Sequence, residues 1–169
     1  MNSQNGVMPP LLMFRSFLTI ASGLVAHWVI LSGVTIAVAR GLFPEYAAEM
    51  MQAQKPGEQI APEVAFGSIP TAMHWIVIGI VSLLSIVLGM LVGWSAPFGR
   101  LVHAIFLAVI VGVNFLSESI SAPQEQKVVM MTYVLIFPLA IFVGGYLINR
   151  WMDDASANAG GPDADASLL

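Results

Sequence analysis

The sequence predicts an all-α integral membrane protein with four transmembrane helices in an antiparallel bundle. Only 9% of the 169 residues are charged and the mean hydropathy is +0.83, whereas soluble domains carry about 25% charged residues. The sparse ionisable residues leave four continuous uncharged stretches, at 16–39, 64–99, 101–117 and 128–149. A bilayer core of about 30 Å needs about 20 helical residues, so each stretch holds one span.

The spans are placed at about 16–39, 70–94, 101–120 and 128–149. The segment "PEYAAEMMQAQ" from Pro44 starts with a proline that suits the first helical position and continues with strong helix formers, so it predicts a short surface helix. "SAPFGR" and "SAPQEQK" are too short for anything but tight turns, which make antiparallel hairpins of the last three spans. Residues 1–154 form the transmembrane domain. Residues 155–169 are small, acidic and breaker-rich, which predicts a flexible acidic tail.

The basic residues determine the predicted orientation only weakly. Three arginines lie on the face that carries the termini and three basic residues lie on the loop face, so the positive-inside rule gives a tie; they are Arg15, Arg100 and Arg150 against Arg40, Lys55 and Lys127. The terminal amine favours both termini in the cytoplasm, and we expect a bacterial inner membrane. Membrane lipid is the expected surroundings of the spans. The net charge of −4 argues against nucleic acid as a partner and against binding of anionic lipid through a polybasic patch.

Small residues recur at four-residue steps on the second and third spans. The second span carries Ser85, Gly89 and Gly93, and the third carries Ala104, Ala108 and Gly112. Lipid supplies no hydrophobic drive between helices, so close approach through small residues stabilises a bundle. Because a short turn joins these spans, we expect the two stripes to pack against each other.

A polar stripe ends the third span. His103, Asn114 and Ser121 fall within about 20° of one another on a helix, with Ser117 and Glu118 beside that line. Glu118 lies within a turn of the predicted loop-side interface, which favours an end-of-helix cluster, with a working site as the alternative. Asn114 lies deeper and is expected to find a partner within the bundle.

Three spans carry one histidine each, namely His27, His74 and His103. Their predicted depths differ by about 10 Å or more per pair, which disfavours a bis-histidine haem. We expect no cofactor and no metal site. The alternative is a tetrapyrrole, either haem or chlorophyll, whose metal takes one of these three histidines as its axial ligand. Gly23 and Gly99 each precede a histidine by four residues and would leave room for a flat macrocycle.

Catalytic patterns do not occur in the sequence. It contains no cysteine, P-loop, nucleophile elbow or metalloprotease motif, so we do not expect an enzyme. The favoured hypothesis is an accessory or structural subunit that stabilises a larger membrane complex by packing against its other membrane subunits. The alternative is a homo-oligomeric transport component for a small solute, an ion or protons that uses the polar face of the third span.

Overall fold

A computed structural model describes residues 10–53, 69–122 and 124–159. Within these residues the chain is helical, with a single 3₁₀ turn at Gln124–Gln126 and no strand. The helices are α1 (Pro10–Leu42), α2 (Pro44–Ala53), α3 (Thr71–Ser95), α4 (Arg100–Ser121) and α5 (Lys127–Ala159). The predicted all-helical class and the short surface helix, α2, are confirmed.

Four of these helices, α1, α3, α4 and α5, are long and apolar enough to cross a membrane. The bounds of α3 and α4 agree with the predicted spans to within one residue. Both α1 and α5 have 33 residues and are about 50 Å long, so they extend beyond a bilayer core of about 30 Å. The C-terminal end of α5 includes residues 155–159 of the predicted tail. Just before them, Arg150 and Asp154 form an exposed ion pair, with Nε and Oδ2 4.0 Å apart. Residues 160–169 lie outside the described part of the chain.

The backbones of α3 and α5 pack very closely at two glycines. A Cβ atom added at Gly89 would overlap the carbonyl oxygen of Ile141, and one added at Gly144 would overlap the carbonyl oxygen of Ile86. Neither clash involves the end of a flexible side chain, so the backbone itself would have to move. The crossing of α3 and α5 therefore depends on glycine on both helices.

The small residues of α4 also face α5. The side chain of Ala104 lies where a Cβ atom of Gly145 would be, and a Cβ atom at Gly112 would be 3.2 Å from Cγ of Pro138. The expectation that the α3 and α4 stripes pack mainly against each other is therefore corrected. Both pack against α5, because its adjacent glycines, Gly144 and Gly145, let the two helices of the hairpin approach from either side. Of the predicted packing residues, Gly112 is half-buried and the rest are buried; these are Ser85, Gly89, Gly93, Ala104 and Ala108.

The first helix lies at the edge of the bundle. Only 11% of its most apolar window is buried, against 44% for α3 and for α5. It contacts α3 and α4 at Gly23, where an added Cβ atom would lie 2.8 Å from Val92 and 2.9 Å from Leu107. The C-terminal half of α1 contacts the N-terminal part of α3, so these two helices are antiparallel.

The turn between α3 and α4 needs a glycine. Gly99 has a φ of 53°, in the left-handed region, and it directly precedes the first residue of α4. Its carbonyl oxygen accepts a hydrogen bond from the backbone N–H of His103 at 3.2 Å. The predicted tight hairpin is thus confirmed, and the left-handed residue explains how four residues reverse the chain.

Candidate functional site

A pocket of about 340 Å³ opens in the loop-side half of the bundle. This volume is near the lower end of the range for small-molecule sites, about 300–1,000 Å³. All four spanning helices contribute to its wall, because the C-terminal ends of α1 and α4 meet the N-terminal ends of α3 and α5 there. The wall is mostly aliphatic and aromatic; its residues are Trp28, Leu31, Ser32, Thr35, Ile36, Ile69, Met73, His74, Val77, Phe115, Glu118, Met130 and Tyr133.

A hydrogen bond joins two helices in this wall. Nδ1 of His74 on α3 lies 2.8 Å from the hydroxyl oxygen of Tyr133 on α5, and both side chains are buried, at 5% and 6% exposure. Either the imidazole or the phenol donates, depending on the histidine tautomer. In both cases Nε2 of His74 is buried and has no partner among the described residues. The polar pair of His74 and Tyr133 is therefore closed within the wall, with Nε2 of His74 buried beside it.

Local structure at the start of α3 sets the depth of His74. The carbonyl oxygen of Pro70 accepts hydrogen bonds from the backbone N–H groups of Met73 at 2.9 Å and of His74 at 3.3 Å. The helix begins directly after a proline, which lacks a donor and suits a helix start. His74 therefore lies in the first turn of α3, beside the loop-side opening of the pocket.

Glu118 provides the carboxylate of the pocket wall. It lies one turn before the end of α4 and its side chain is exposed rather than packed. The ion pair found in the described part of the chain is that of Arg150 and Asp154, at the opposite end of the bundle. Among the described residues no basic side chain pairs with the carboxylate of Glu118.

The rest of the polar stripe does not join this site. Nδ2 of Asn114 donates to the carbonyl oxygen of Ile110 at 2.9 Å. Asn114 was expected to find a partner within the bundle, and the partner that the structure shows lies on its own helix. Ser117 and Ser121 are exposed and do not line the pocket.

His27 lies next to the pocket, inside a cluster of aromatic rings. It is fully buried, and neither ring nitrogen has a partner among the described residues. The rings of Phe137, Phe115 and Trp28 surround it at centroid distances of 5.6, 6.0 and 6.4 Å. Trp28 and Phe115 also line the pocket, so they separate the buried imidazole from the pocket space.

His103 lies near the terminal face, away from the pocket. Its Nδ1 is 3.2 Å from the carbonyl oxygen of Gly99. A carbonyl oxygen only accepts, so Nδ1 carries the hydrogen of this contact, while Nε2 is buried and has no described partner. Its ring packs edge-on against Phe98 at 5.3 Å.

The three histidines are thus in separate surroundings, and among the described residues no group of three His, Asp or Glu side chains comes together. The glycine spacing gives no support for a macrocycle at His27 or His103. Val92 and Leu107 fill the space beside Gly23, and Gly99 serves the turn.

Sequence reasoning missed Tyr133 and Trp28 as site residues. Tyr133 could have been found by comparing the depths of residues in the membrane. Tyr133 lies six residues after Lys127, and His74 lies four residues after Pro70. At 1.5 Å per residue both are about 6–9 Å from the loop-side ends of their helices. Equal depth on neighbouring helices was the available signal.

No family model, curated protein or solved structure matches this chain. The class of protein is therefore a bundle of four helices that are long and apolar enough to span a membrane, with an open pocket at its loop-side end.

Proposed function

We propose that the protein is a membrane transport component that takes a small solute into the loop-side pocket. The observation that carries this proposal is a pocket walled by all four spanning helices, with the unpaired carboxylate of Glu118 in its wall. Ionisable residues inside spanning helices are costly unless they pair or act on a solute, so they are functional-site candidates. The pocket lies within one chain, so this proposal places the solute there rather than along the polar face of α4 in a homo-oligomer.

Flux through proteoliposomes tests this proposal. The purified chain is reconstituted and supplied with radiolabelled small cationic, neutral and anionic solutes, and a trapped pH dye follows protons. We expect uptake of at least one solute. Glu118→Gln, which keeps the shape but loses the charge, is expected to lower that uptake about tenfold or more, the equivalent of about 1.4 kcal/mol.

The matched control is Glu49→Gln, which makes the same chemical change at an exposed residue of α2, outside the pocket wall. We expect this variant to transport like the wild type. Two results would contradict the proposal. One is a wild-type chain that moves none of these solutes, and the other is a Glu118→Gln variant with wild-type uptake.

A second proposal, the structural or accessory subunit, is supported by the outer face of α1. Gly33, Ala37 and Gly41 follow at four-residue steps and are all exposed, and a Cβ atom at either glycine would meet nothing within 4 Å. Small residues let a second transmembrane helix approach closely. This face would suit another membrane subunit or a second copy of the chain.

Native purification in mild detergent tests this second proposal. We expect wild-type protein to be recovered with partner subunits or as an oligomer, and Gly33→Leu to be recovered alone. Gly79→Leu is the control, because Gly79 is also exposed with nothing within 4 Å. Recovery of the wild type as a lone monomer would contradict the subunit hypothesis and leave the transport hypothesis standing.

We also propose a bacterial inner membrane with both termini in the cytoplasm. The support is the terminal amine, which breaks the tie between basic residues on the two faces. The chain contains no cysteine, so single cysteines placed in the tail and in the loop at 54–68 can be labelled one at a time. Labelling of the tail, but not of the loop, by a membrane-impermeant maleimide in intact cells would contradict this orientation.

A further inference from the structure

We infer that the loop-side pocket selects an organic cation with an apolar body, such as a substituted ammonium, and that Glu118 is its charge partner. This inference rests on the proposed function and names the class of solute. It follows from the charge, the aromatic surfaces and the polar donors of the pocket wall.

The charge of the pocket wall disfavours an anionic solute. Among the described residues that line the pocket, Glu118 is the one acidic side chain, and there is no lysine or arginine. An ionised carboxylate in a largely apolar pocket is stabilised by a positive charge close to it. A solute anion would instead meet an unneutralised carboxylate of the same sign.

The aromatic side chains of the pocket wall also favour a cation. Three aromatic side chains line the pocket: Trp28, Phe115 and Tyr133. Phe115 and Tyr133 are buried, and each has one face stacked on a neighbouring ring, Trp28 and Phe137 respectively. Trp28 is half-buried and is therefore the ring of the three that retains accessible surface. The face of a tryptophan attracts cations more strongly than that of any other side chain, and quaternary ammonium groups are recognised in this way.

The polar groups favour an organic cation over a metal ion. Hard metal ions need about six to eight oxygen ligands, or a cluster of carboxylates and imidazoles. The described residues bring no three His, Asp or Glu side chains together, and the hydroxyl of Thr35 already donates to the carbonyl oxygen of Leu31 at 2.7 Å. A cation that carries its own apolar shell suits this wall better than a hydrated ion.

Glu118 is the polar group of the wall that a solute can reach, because the other polar pair is closed. The hydrogen bond between His74 and Tyr133 occupies Nδ1 and the phenol hydroxyl, and Nε2 of His74 is buried as well. Glu118 is exposed and lines the pocket, so the ammonium group of the solute is placed beside its carboxylate.

Three solutes of one shape and different charge test this inference. They are phenyltrimethylammonium, its neutral counterpart tert-butylbenzene and the anion benzenesulfonate. Each is titrated calorimetrically into the detergent-solubilised full chain, with protein-free micelles as the blank. We expect the cation to bind about tenfold or more tightly than the other two, and Glu118→Gln to remove that advantage while binding of the neutral compound changes less than about threefold.

The possible failures are separable. Tight binding of the neutral compound or of the anion, equal to or better than the cation, would overturn the cation assignment and leave the pocket as a transport site. An advantage for the cation that survives in Glu118→Gln would overturn the role of Glu118. If none of the three binds and the flux assay also shows no uptake, the proposed function itself fails.

Discussion

Gly89→Val is expected to prevent the bundle from packing, with most of the protein lost to aggregation during purification in mild detergent. A Cβ atom at this position would overlap the carbonyl oxygen of Ile141 and lie 3.1 Å from the backbone nitrogen of Gly145. Valine adds two further methyl groups in the same place. Because the obstacle is backbone of α5, the helices must separate, and overpacking of this kind costs about 3 kcal/mol.

Gly79→Val is the matched control for this substitution. Gly79 lies on the same helix, it is exposed, and an added Cβ atom would meet nothing within 4 Å. We expect its free energy of unfolding to stay within about 0.5 kcal/mol of the wild type. Unfolding by graded addition of a denaturing detergent, followed by circular dichroism, measures both variants. Similar stability for the two would contradict the close crossing of α3 and α5.

The sequence was sufficient to predict which segments form helices, but not how each helix is rotated about its axis. Charge gaps and length located α3 and α4 to within a residue, because a bilayer imposes a minimum apolar length. Packing faces and lipid-facing surfaces are equally apolar, so hydropathy does not distinguish them. The small-residue stripe of α3 was therefore recognised, but the surface it packs against was wrongly predicted to be α4. In the structure it packs against Gly144 and Gly145 of α5.

The candidate site could not be predicted either, because it depends on how the helices pack. Glu118 was visible as an acidic residue near a helix end, but the pocket it lines forms only when four helices assemble around it. The contact of His74 with Tyr133 joins residues 59 positions apart, which no local pattern encodes. The partner of Asn114 was left open for a different reason. Its amide could be satisfied either across the bundle or by its own helix, and spacing does not choose between them.

Glu118 is also expected to react with dicyclohexylcarbodiimide, and solute should suppress that reaction. This apolar reagent enters bilayers and forms a stable adduct with carboxyl groups in their protonated form, with which the ionised form of Glu118 exchanges. Glu118 is exposed within an apolar pocket of the spanning bundle, whereas Glu45 and Glu49 lie on the surface helix α2. We expect modification at Glu118 to abolish uptake, because the adduct removes the charge and fills the pocket.

The most direct test of the central claim is the rate of this modification, measured by peptide mass spectrometry with and without a saturating concentration of a transported solute. If the solute enters the loop-side pocket and pairs with Glu118, modification of Glu118 should slow about tenfold or more. Any reaction at Glu49 should be unchanged and serves as the internal control. An equal rate of modification at Glu118 in both conditions would contradict the account, since it would show that the transported solute does not occupy the pocket.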